Sequence, residues 1–128
     1  MLGDTKKMIQ ELSPAEVRQR MKQNETFVLN VVAAWCPDCT ERQQPNFPGF
    51  VQKMEAAGIP VYQCSVQTEK LVFLSEEHEA LTDDFGGHGY PRTVLIINGR
   101  LADSRVEVMN GLALAMLAGE YVTKVQEG

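Results

Sequence analysis

An almost unbroken apolar run is the feature of this sequence that most limits its possible folds. The run extends from Phe27 to Ala34 and is rich in β-branched residues, with Asn30 as its one polar member. Such a run is typical of a strand buried on both faces, as found in parallel or mixed sheets that are covered by helices on either side. We therefore expect an α/β fold built around this strand.

Local patterns elsewhere predict the elements that would surround this strand. Before and just after it, they predict a helix from Ser13 to about Gln23, a helical stretch to Ala57 with a break at Pro45 and Pro48, and a strand over 59–66. Further on, they predict a helix over 69–84, a glycine-rich loop over 85–91, strands over 93–97 and 101–108 around an Asn98-Gly99 turn, and a helix from Leu112 to Val125 with Leu112, Met116 and Leu117 on one side. A crossover helix makes the first two strands parallel, and the short turn makes the last two antiparallel. The predicted fold class is therefore α/β, with a mixed central sheet of about four to five strands flanked by helices on both faces.

Size and charge limit the classes of function. The 128 residues fit a single domain over 1–128, and their 44% hydrophobic share suffices for one packed core. A net charge of −5 argues against a nucleic-acid partner, which usually needs a basic patch. No run approaches the roughly 18 apolar residues of a membrane span, and residues 1–7 lack the basic-then-apolar order of a signal peptide. We therefore expect a soluble, cytoplasmic monomer without a membrane partner.

A cysteine pair stands directly after the buried strand. Cys36 and Cys39 flank Pro37-Asp38, at the point where the strand is predicted to give way to a helix. The free N–H groups and the dipole of a helix N-terminus would stabilise a thiolate at Cys36, and Pro37 suits the first helical turn because it has no N–H to lose. Cys39 lies one turn further on, close enough to form a disulfide. Cys36 could therefore attack a substrate disulfide, and Cys39 could resolve the mixed disulfide.

Other roles for the cysteines are weaker. A zinc site would need two further ligands, and the remaining candidates form no second ligand pair: Cys64, His78 and His88. An inert buried pair fits poorly with a strand–helix corner. Cys64 lies in a predicted core strand and is expected to be a buried structural thiol, with a regulatory thiol as the alternative. We predict neither a metal site nor a bound cofactor.

The cysteine motif and its surroundings resemble the thioredoxin superfamily over nearly the whole chain. The matching segments are the strand over 28–33, the motif Trp35-Cys36-Pro37-Asp38-Cys39, and the segment from Phe85 to Asn98-Gly99-Arg100. The resemblance implies a thioredoxin-like fold in which Cys36 is the nucleophile and Cys39 the resolving thiol. It also implies that Pro91 is a cis-proline facing the disulfide and that a hydrophobic surface receives the substrate chain. That surface would be lined by Trp35, Tyr90 and Gly111.

Asn30 and Gln63 are departures from this family with a direct chemical meaning. By the resemblance, a buried Asp that helps to deprotonate the resolving thiol would stand at Asn30, and its Lys partner at Gln63. One interpretation is that the two amides hydrogen-bond each other, which avoids the cost of buried charge. The other is that general-base help to Cys39 is lost or passed to water. Our hypothesis combines the two: exchange persists, but mixed disulfides are resolved more slowly.

Further departures concern the active-site helix and the substrate groove. Asp38 places a negative charge near the nucleophile, which should oppose part of the helix-terminus effect. Pro45 falls one residue later than the helix proline of typical family members. Arg92 follows Pro91, where Thr is common, and it either favours an acidic partner or is a solvated surface residue. The stretch over 67–84 is longer than in a minimal thioredoxin, and it either shapes a partner surface or forms an extra helix over the core.

The function that these features predict is thiol–disulfide exchange. The chain would reduce a disulfide-containing protein substrate by cycling between the Cys36/Cys39 dithiol and its disulfide, with electrons from a separate donor of the thioredoxin-reductase type. The alternative is a chaperone-like binding or assembly module in which the dithiol is incidental. A disulfide-forming oxidase of an exported compartment would need a leader sequence. The direction of exchange depends on the potential of the couple relative to its compartment.

Overall fold

Six strands and four α-helices make up the fold in the computed structural model, which describes residues 9–128. The strands are β1 (Gln10–Glu11), β2 (Phe27–Ala33), β3 (Val61–Glu69), β4 (Val72–Phe73), β5 (Arg92–Ile97) and β6 (Arg100–Val106). The α-helices are α1 (Pro14–Lys22), α2 (Phe47–Ala56), α3 (Glu76–Asp84) and α4 (Gly111–Glu127). A π-helical turn (Asp38–Gln43) and a 3-10 turn (Gln44–Asn46) lie between β2 and α2. The expectation for residues 1–7 lies outside the described residues.

The strands form one mixed sheet in the order β1-β3-β2-β5-β6, with the short β4 beside β3. β2 runs parallel to β3 and antiparallel to β5, and β6 returns antiparallel to β5. The predicted parallel pair and hairpin are therefore confirmed. β1 and β4, each of two residues, extend the sheet beyond the four strands predicted individually. All seven residues of β2 are buried, as expected of the central strand.

Helices cover both faces of the sheet. Successive side chains of β2 point to opposite faces and therefore pack in two different cores. Leu29 packs in the core that also holds Val17 of α1 and Leu81 of α3. Val28 packs in the opposite core, which holds residues of α2 and α4 that include Phe50 and Tyr121. The predicted α/β layering is therefore present in the structure.

The Asn98-Gly99 turn shows how a local sequence signal fixes the sheet edge. Both residues have positive φ, at 52° and 81°, as a type I′ hairpin turn requires. A Cβ at Gly99 would lie 2.1 Å from the carbonyl oxygen of Met21, so only glycine fits here. The turn therefore also fixes how closely the β5–β6 hairpin approaches α1.

The helix predicted over 69–84 is wrong in its first half. β3 continues to Glu69 and turns back through β4, so α3 begins only after Ser75. The Ser75 hydroxyl caps α3 by accepting a hydrogen bond from the His78 N–H, and glutamates fill the first turn. This capping signal marks the true helix start. The leucines at 71 and 74, whose spacing favoured a longer helix, are exposed instead.

The expected inward side of α4 is also partly wrong. Leu112 and Met116 are 74% and 68% exposed. The buried stripe contains residues spaced three and four positions apart, as an amphipathic helix requires: Leu114, Leu117, Ala118 and Tyr121. Leu117 belongs to this stripe as predicted, whereas Leu112 and Met116 lie outside it. Within residues 9–128, no helix has both the length and the apolar character needed to cross a membrane.

Candidate active site

Cys36 occupies the corner between β2 and the following helical segment. Its N–H donates to the Ala33 carbonyl over 3.1 Å, which closes the turn after the strand. Pro37 has helical dihedrals of −61° and −29°, and the N–H groups of Cys39 and Thr40 then donate to the Cys36 carbonyl. Cys36 therefore stands immediately before the first helical turn, where the sequence predicted the nucleophile. Proline at this first helical position loses no hydrogen bond.

The Tyr90-Pro91 segment faces this corner although it is 54 residues away along the chain. The Cys36 thiol donates to the Tyr90 carbonyl oxygen at an Sγ–O distance of 3.7 Å. The Tyr90–Pro91 peptide bond is cis, as the family resemblance implies. Trp35 packs edge-on against the Tyr90 ring at 6.3 Å between centroids. The structure therefore brings three of the predicted site residues to the Cys36 thiol: Trp35, Tyr90 and Pro91. Gly111, by contrast, is an exposed residue at the start of α4.

Burial makes the Cys39 thiol harder to deprotonate than an ordinary cysteine. Burial raises its pKa to about 12, and the neighbouring Cys36 adds to the effect, while a hydrogen bond from the backbone of Ala33 opposes it. The negative charge of Asp38 contributes a smaller increase. Asp38 also forms an ion pair with Arg42 one turn further on, which offsets part of the charge that we expected it to place near the thiols. The Cys39 thiol therefore holds its proton firmly in this fold.

The predicted hydrogen bond between Asn30 and Gln63 is wrong. The two residues are register partners in the parallel strands β2 and β3, but Asn30 Nδ2 donates to Oε1 of Gln43 over 2.8 Å. Gln43 Nε2 in turn donates to the Val108 carbonyl over 3.1 Å. Gln63 is only half-buried, and its amide points to the Glu11 carboxylate at 3.5 Å, because β1 lies next to β3. The neutral amide pair exists, but with a different partner.

Gln43 is a site residue that sequence reasoning missed. It is buried in the π-helical turn, and Cys39 is the other buried residue of that turn. A π turn accommodates one residue more than the α-helical path, and such turns are frequent at functional sites. The late position of Pro45 was the signal of this extra residue. The turn that contains the extra residue therefore also supplies the amide that binds Asn30.

Gln67 is a second residue that sequence reasoning missed. Its side chain is fully buried, and its Oε1 accepts hydrogen bonds from Trp35 Nε1 over 2.8 Å and from the Leu71 N–H over 3.1 Å. Trp35 is half-buried, and the Lys70 ammonium lies 5.8 Å from the centroid of its ring. One amide therefore orients the indole and joins it to the β3–β4 turn.

Both interpretations of Arg92 are wrong, because its side chain neither projects into solvent nor faces a partner. It is 8% exposed and donates to Ser104 Oγ over 2.9 Å and to the His88 carbonyl over 3.0 Å. Burial lowers the pKa of this guanidinium, and no carboxylate within residues 9–128 forms an ion pair with it. A Cβ at Gly86 would lie 2.3 Å from Arg92 Nη1, so the glycine-rich loop closes over the guanidinium. Arg92 therefore holds the loop that leads to Tyr90.

Cys64 and the histidines lie outside this constellation. Cys64 is fully buried in β3, and burial raises its pKa to about 12, so the prediction of a buried thiol is confirmed. His78 Nδ1 lies 2.7 Å from Ser75 Oγ at the start of α3, and His88 packs against the Phe73 ring. In the part of the chain that the structure describes, no three His, Cys, Asp or Glu side chains are grouped as metal ligands.

The arrangement of strands, helices and cysteine corner is that of the thioredoxin fold. No family profile matches the chain, and no curated protein matches its sequence. Solved structures do match. With mitochondrial thioredoxin 3 of Saccharomyces cerevisiae in its oxidised form, the TM-score is 0.65 over 88% of this chain and 94% of that one, at 23% identity. The thioredoxin of Plasmodium falciparum gives 0.65 over 88% and 99% at 20% identity, and the germline-specific thioredoxin Deadhead of Drosophila melanogaster gives 0.64 over 88% and 98% at 17% identity. The chain therefore has the thioredoxin fold, and the predicted fold class is confirmed.

Proposed function

We propose that this protein is a thiol–disulfide oxidoreductase that reduces disulfides of protein substrates through Cys36 and Cys39. The observation that carries the proposal is the placement of Cys36 immediately before a helix, with its sulfur against the Tyr90 carbonyl beside cis-Pro91. The helix terminus favours a thiolate at Cys36. The adjoining backbone and the Trp35 ring offer a substrate chain a surface beside that sulfur.

The exchange would proceed in two displacements. The Cys36 thiolate attacks one sulfur of the substrate disulfide, a Cys36–substrate bond forms, and the other substrate sulfur leaves as a thiolate. Cys39 then loses its proton and attacks the Cys36 sulfur, which forms the Cys36–Cys39 disulfide and releases the second substrate thiol. Two electrons pass to the substrate, and a separate donor of the thioredoxin-reductase type restores the dithiol.

In this proposal, the second displacement is the slower of the two steps. Burial holds the proton on Cys39, whose pKa is raised to about 12, and the nearby Asn30–Gln43 pair is neutral. Neither amide can accept that proton as a carboxylate would. We therefore infer that the mixed disulfide lives longer than it would beside a buried carboxylate.

A single domain over 1–128, a monomeric state and a cytoplasmic location belong to the same proposal.

An insulin-reduction assay tests the proposal against the binding-module alternative. The wild-type chain with a dithiol donor should reduce insulin catalytically, Cys36→Ser should abolish turnover, and Cys39→Ser should accumulate a mixed disulfide. Absence of turnover in the wild type, or an unchanged rate in Cys36→Ser, would instead support a module in which the dithiol is incidental. A redox titration of the couple then sets the direction: a potential near about −270 mV fits a reductase, and one near about −120 mV an oxidant.

A further inference from the structure

The hairpin formed by the end of β3 and by β4 extends beyond the elements that hold the two cysteines. Gln67 pairs with Phe73 across it, and the Leu74 N–H donates to the Val66 carbonyl over 3.0 Å. Leu71 at its tip has a φ of 67°, in the left-handed region that favours glycine. Among the described strands, β4 pairs with β3 alone. The outer edge of β4 is therefore unpaired, and β4 ends the sheet beside this part of β3.

Two sets of contacts join the hairpin to the cysteine corner. On one side, buried Gln67 accepts hydrogen bonds from both Trp35 and the Leu71 N–H. On the other side, the His88 ring lies 5.7 Å from the ring of Phe73 and 6.2 Å from that of Tyr90, measured between centroids. The hairpin and the aromatic surface beside Cys36 are therefore one continuous surface.

Three large apolar side chains project from this hairpin without covering either core. Leu71, Val72 and Leu74 are 67%, 52% and 50% exposed. They occupy three of four consecutive positions, whereas single exposed apolar residues elsewhere need no explanation. Because folding does not bury them, their apolar area is free to contact a bound chain.

Negative charge adjoins this apolar area. The residues that follow Leu74 are the helix cap Ser75 and the exposed Glu76 and Glu77, with Glu79 in the same turn of α3. No ion pair between described residues involves these three carboxylates. Residues 69–79 carry four glutamates and one lysine. This net negative charge beside exposed leucines favours a cationic partner group and disfavours an anionic one.

We propose that residues 69–77 bind the polypeptide segment that flanks the target cysteine, and that they select segments in which apolar side chains adjoin lysine or arginine. This inference rests on the proposed function, because it deepens the substrate class of the same site. The occupant is an extended chain: its apolar side chains contact Leu71 and Leu74, and its basic side chains face Glu76 and Glu77. The thiol chemistry at Cys36 is unchanged by this selection.

Two disulfide-bonded model peptides test the proposal. They share one cysteine and one flanking leucine pair, and they differ only in carrying two lysines or two glutamates. The wild type should reduce the lysine peptide with a kcat/KM about tenfold higher than the glutamate peptide at low salt, and the ratio should fall as salt screens the charges. Equal rates for the two peptides would overturn the charge selection.

Matched variants separate this surface from general effects. Glu77→Lys should reduce or reverse the preference, whereas Glu127→Lys, at an exposed position of α4, alters net charge equally and should preserve it. Leu71→Ser should slow both peptides several-fold, whereas Leu101→Ser on the opposite sheet edge should not. All four variants should reduce hydroxyethyl disulfide at the wild-type rate. If the wild type fails with hydroxyethyl disulfide, the proposed function fails; if only the peptide preferences are missing, the surface proposal fails alone.

Discussion

Asn30 and Gln43 hydrogen-bond through their side-chain amides between the central strand and the active-site helix, with 2.8 Å between Asn30 Nδ2 and Gln43 Oε1. Both side chains are buried, and neither carries charge. Satisfied amides avoid the cost of an isolated buried ion. Because neither amide is ionisable, the pair offers no carboxylate that could accept a proton.

Asn30→Asp should therefore shorten the lifetime of the mixed disulfide between Cys36 and a substrate. A carboxylate at this place could accept the Cys39 proton, and we expect the second displacement to be about tenfold faster or more. Acid quenching, alkylation and mass spectrometry would measure the lifetime directly. Asn30→Ala, which removes the amide without supplying a base, should give no acceleration. An unchanged lifetime in Asn30→Asp contradicts the hypothesis.

Cys64 should make the reduced protein less stable in alkali. Burial raises its pKa in the folded state from an ordinary 9.0 to about 12, so above pH 9 the unfolded chain releases a proton that the folded chain keeps. The contribution of the Cys64 proton to the free energy of unfolding is complete below pH 9. It falls by about 1.4 kcal/mol per pH unit as the pH rises toward 12. Urea unfolding at several pH values would measure this slope.

Cys64→Ala isolates the effect. The variant is less stable at every pH because it leaves a cavity, but its stability should decline less steeply in alkali. Cys39 and Tyr121, whose pKa values are also raised by burial, contribute equally to both proteins. Parallel stability curves for the two proteins would show that the Cys64 proton is not held more firmly in the fold.

Arg92→Ala should loosen the loop that leads to the cis-proline. The substitution leaves the His88 carbonyl and Ser104 hydroxyl without their guanidinium donor, at a cost of about 1–3 kcal/mol in unfolding free energy. Faster amide exchange over 85–90 and a lower kcat/KM for insulin should accompany this loss. Arg92→Lys should recover only part of it, since one ammonium cannot reproduce the planar fork. A variant with normal exchange and normal kcat/KM would exclude this positioning role.

Gln67→Met should separate Trp35 from the hairpin. It removes the acceptor of two N–H groups, those of the indole and of Leu71, and should destabilise the protein by about 1–3 kcal/mol. Trp35 is the only tryptophan in the sequence, so its fluorescence spectrum reports the change without interference. Gln67→Glu keeps an acceptor and serves as the matched control. Identical spectra for Gln67→Met and wild type would argue against the coupling.

Local signals sufficed wherever one segment determines its own structure. The run after Phe27 is apolar at every position except one, which forces burial on both faces and places the strand at the centre. The Asn98-Gly99 pair specifies its turn because both residues accept positive φ. The cysteine corner follows from the same strand and from Pro37, whose fixed φ suits a helix start.

Features that depend on contacts between residues distant in sequence could not be predicted from local signals. The burial of Arg92 requires a loop with glycine at 86 and a hydroxyl from β6, and neither is visible in its own neighbourhood. The partner of Asn30 is Gln43, which lies 13 residues further along the chain in the π-helical turn. Over 69–75, the four consecutive apolar residues at 71–74 fit a short strand and a helical segment about equally. The cap at Ser75 is the local signal that distinguishes the two.

The π-helical turn also changes how positions in this chain correspond to those of an uninterrupted active-site helix. One extra residue rotates everything after it by roughly 100° about the helix axis. Counting onward from Cys36 therefore gives equivalent positions only as far as this turn, which ends at Gln43. Beyond it, a correct alignment needs a gap of one residue, after which Pro45 and the start of α2 come back into step. An alignment without that gap would place Pro45 and every residue of α2 one position out of step.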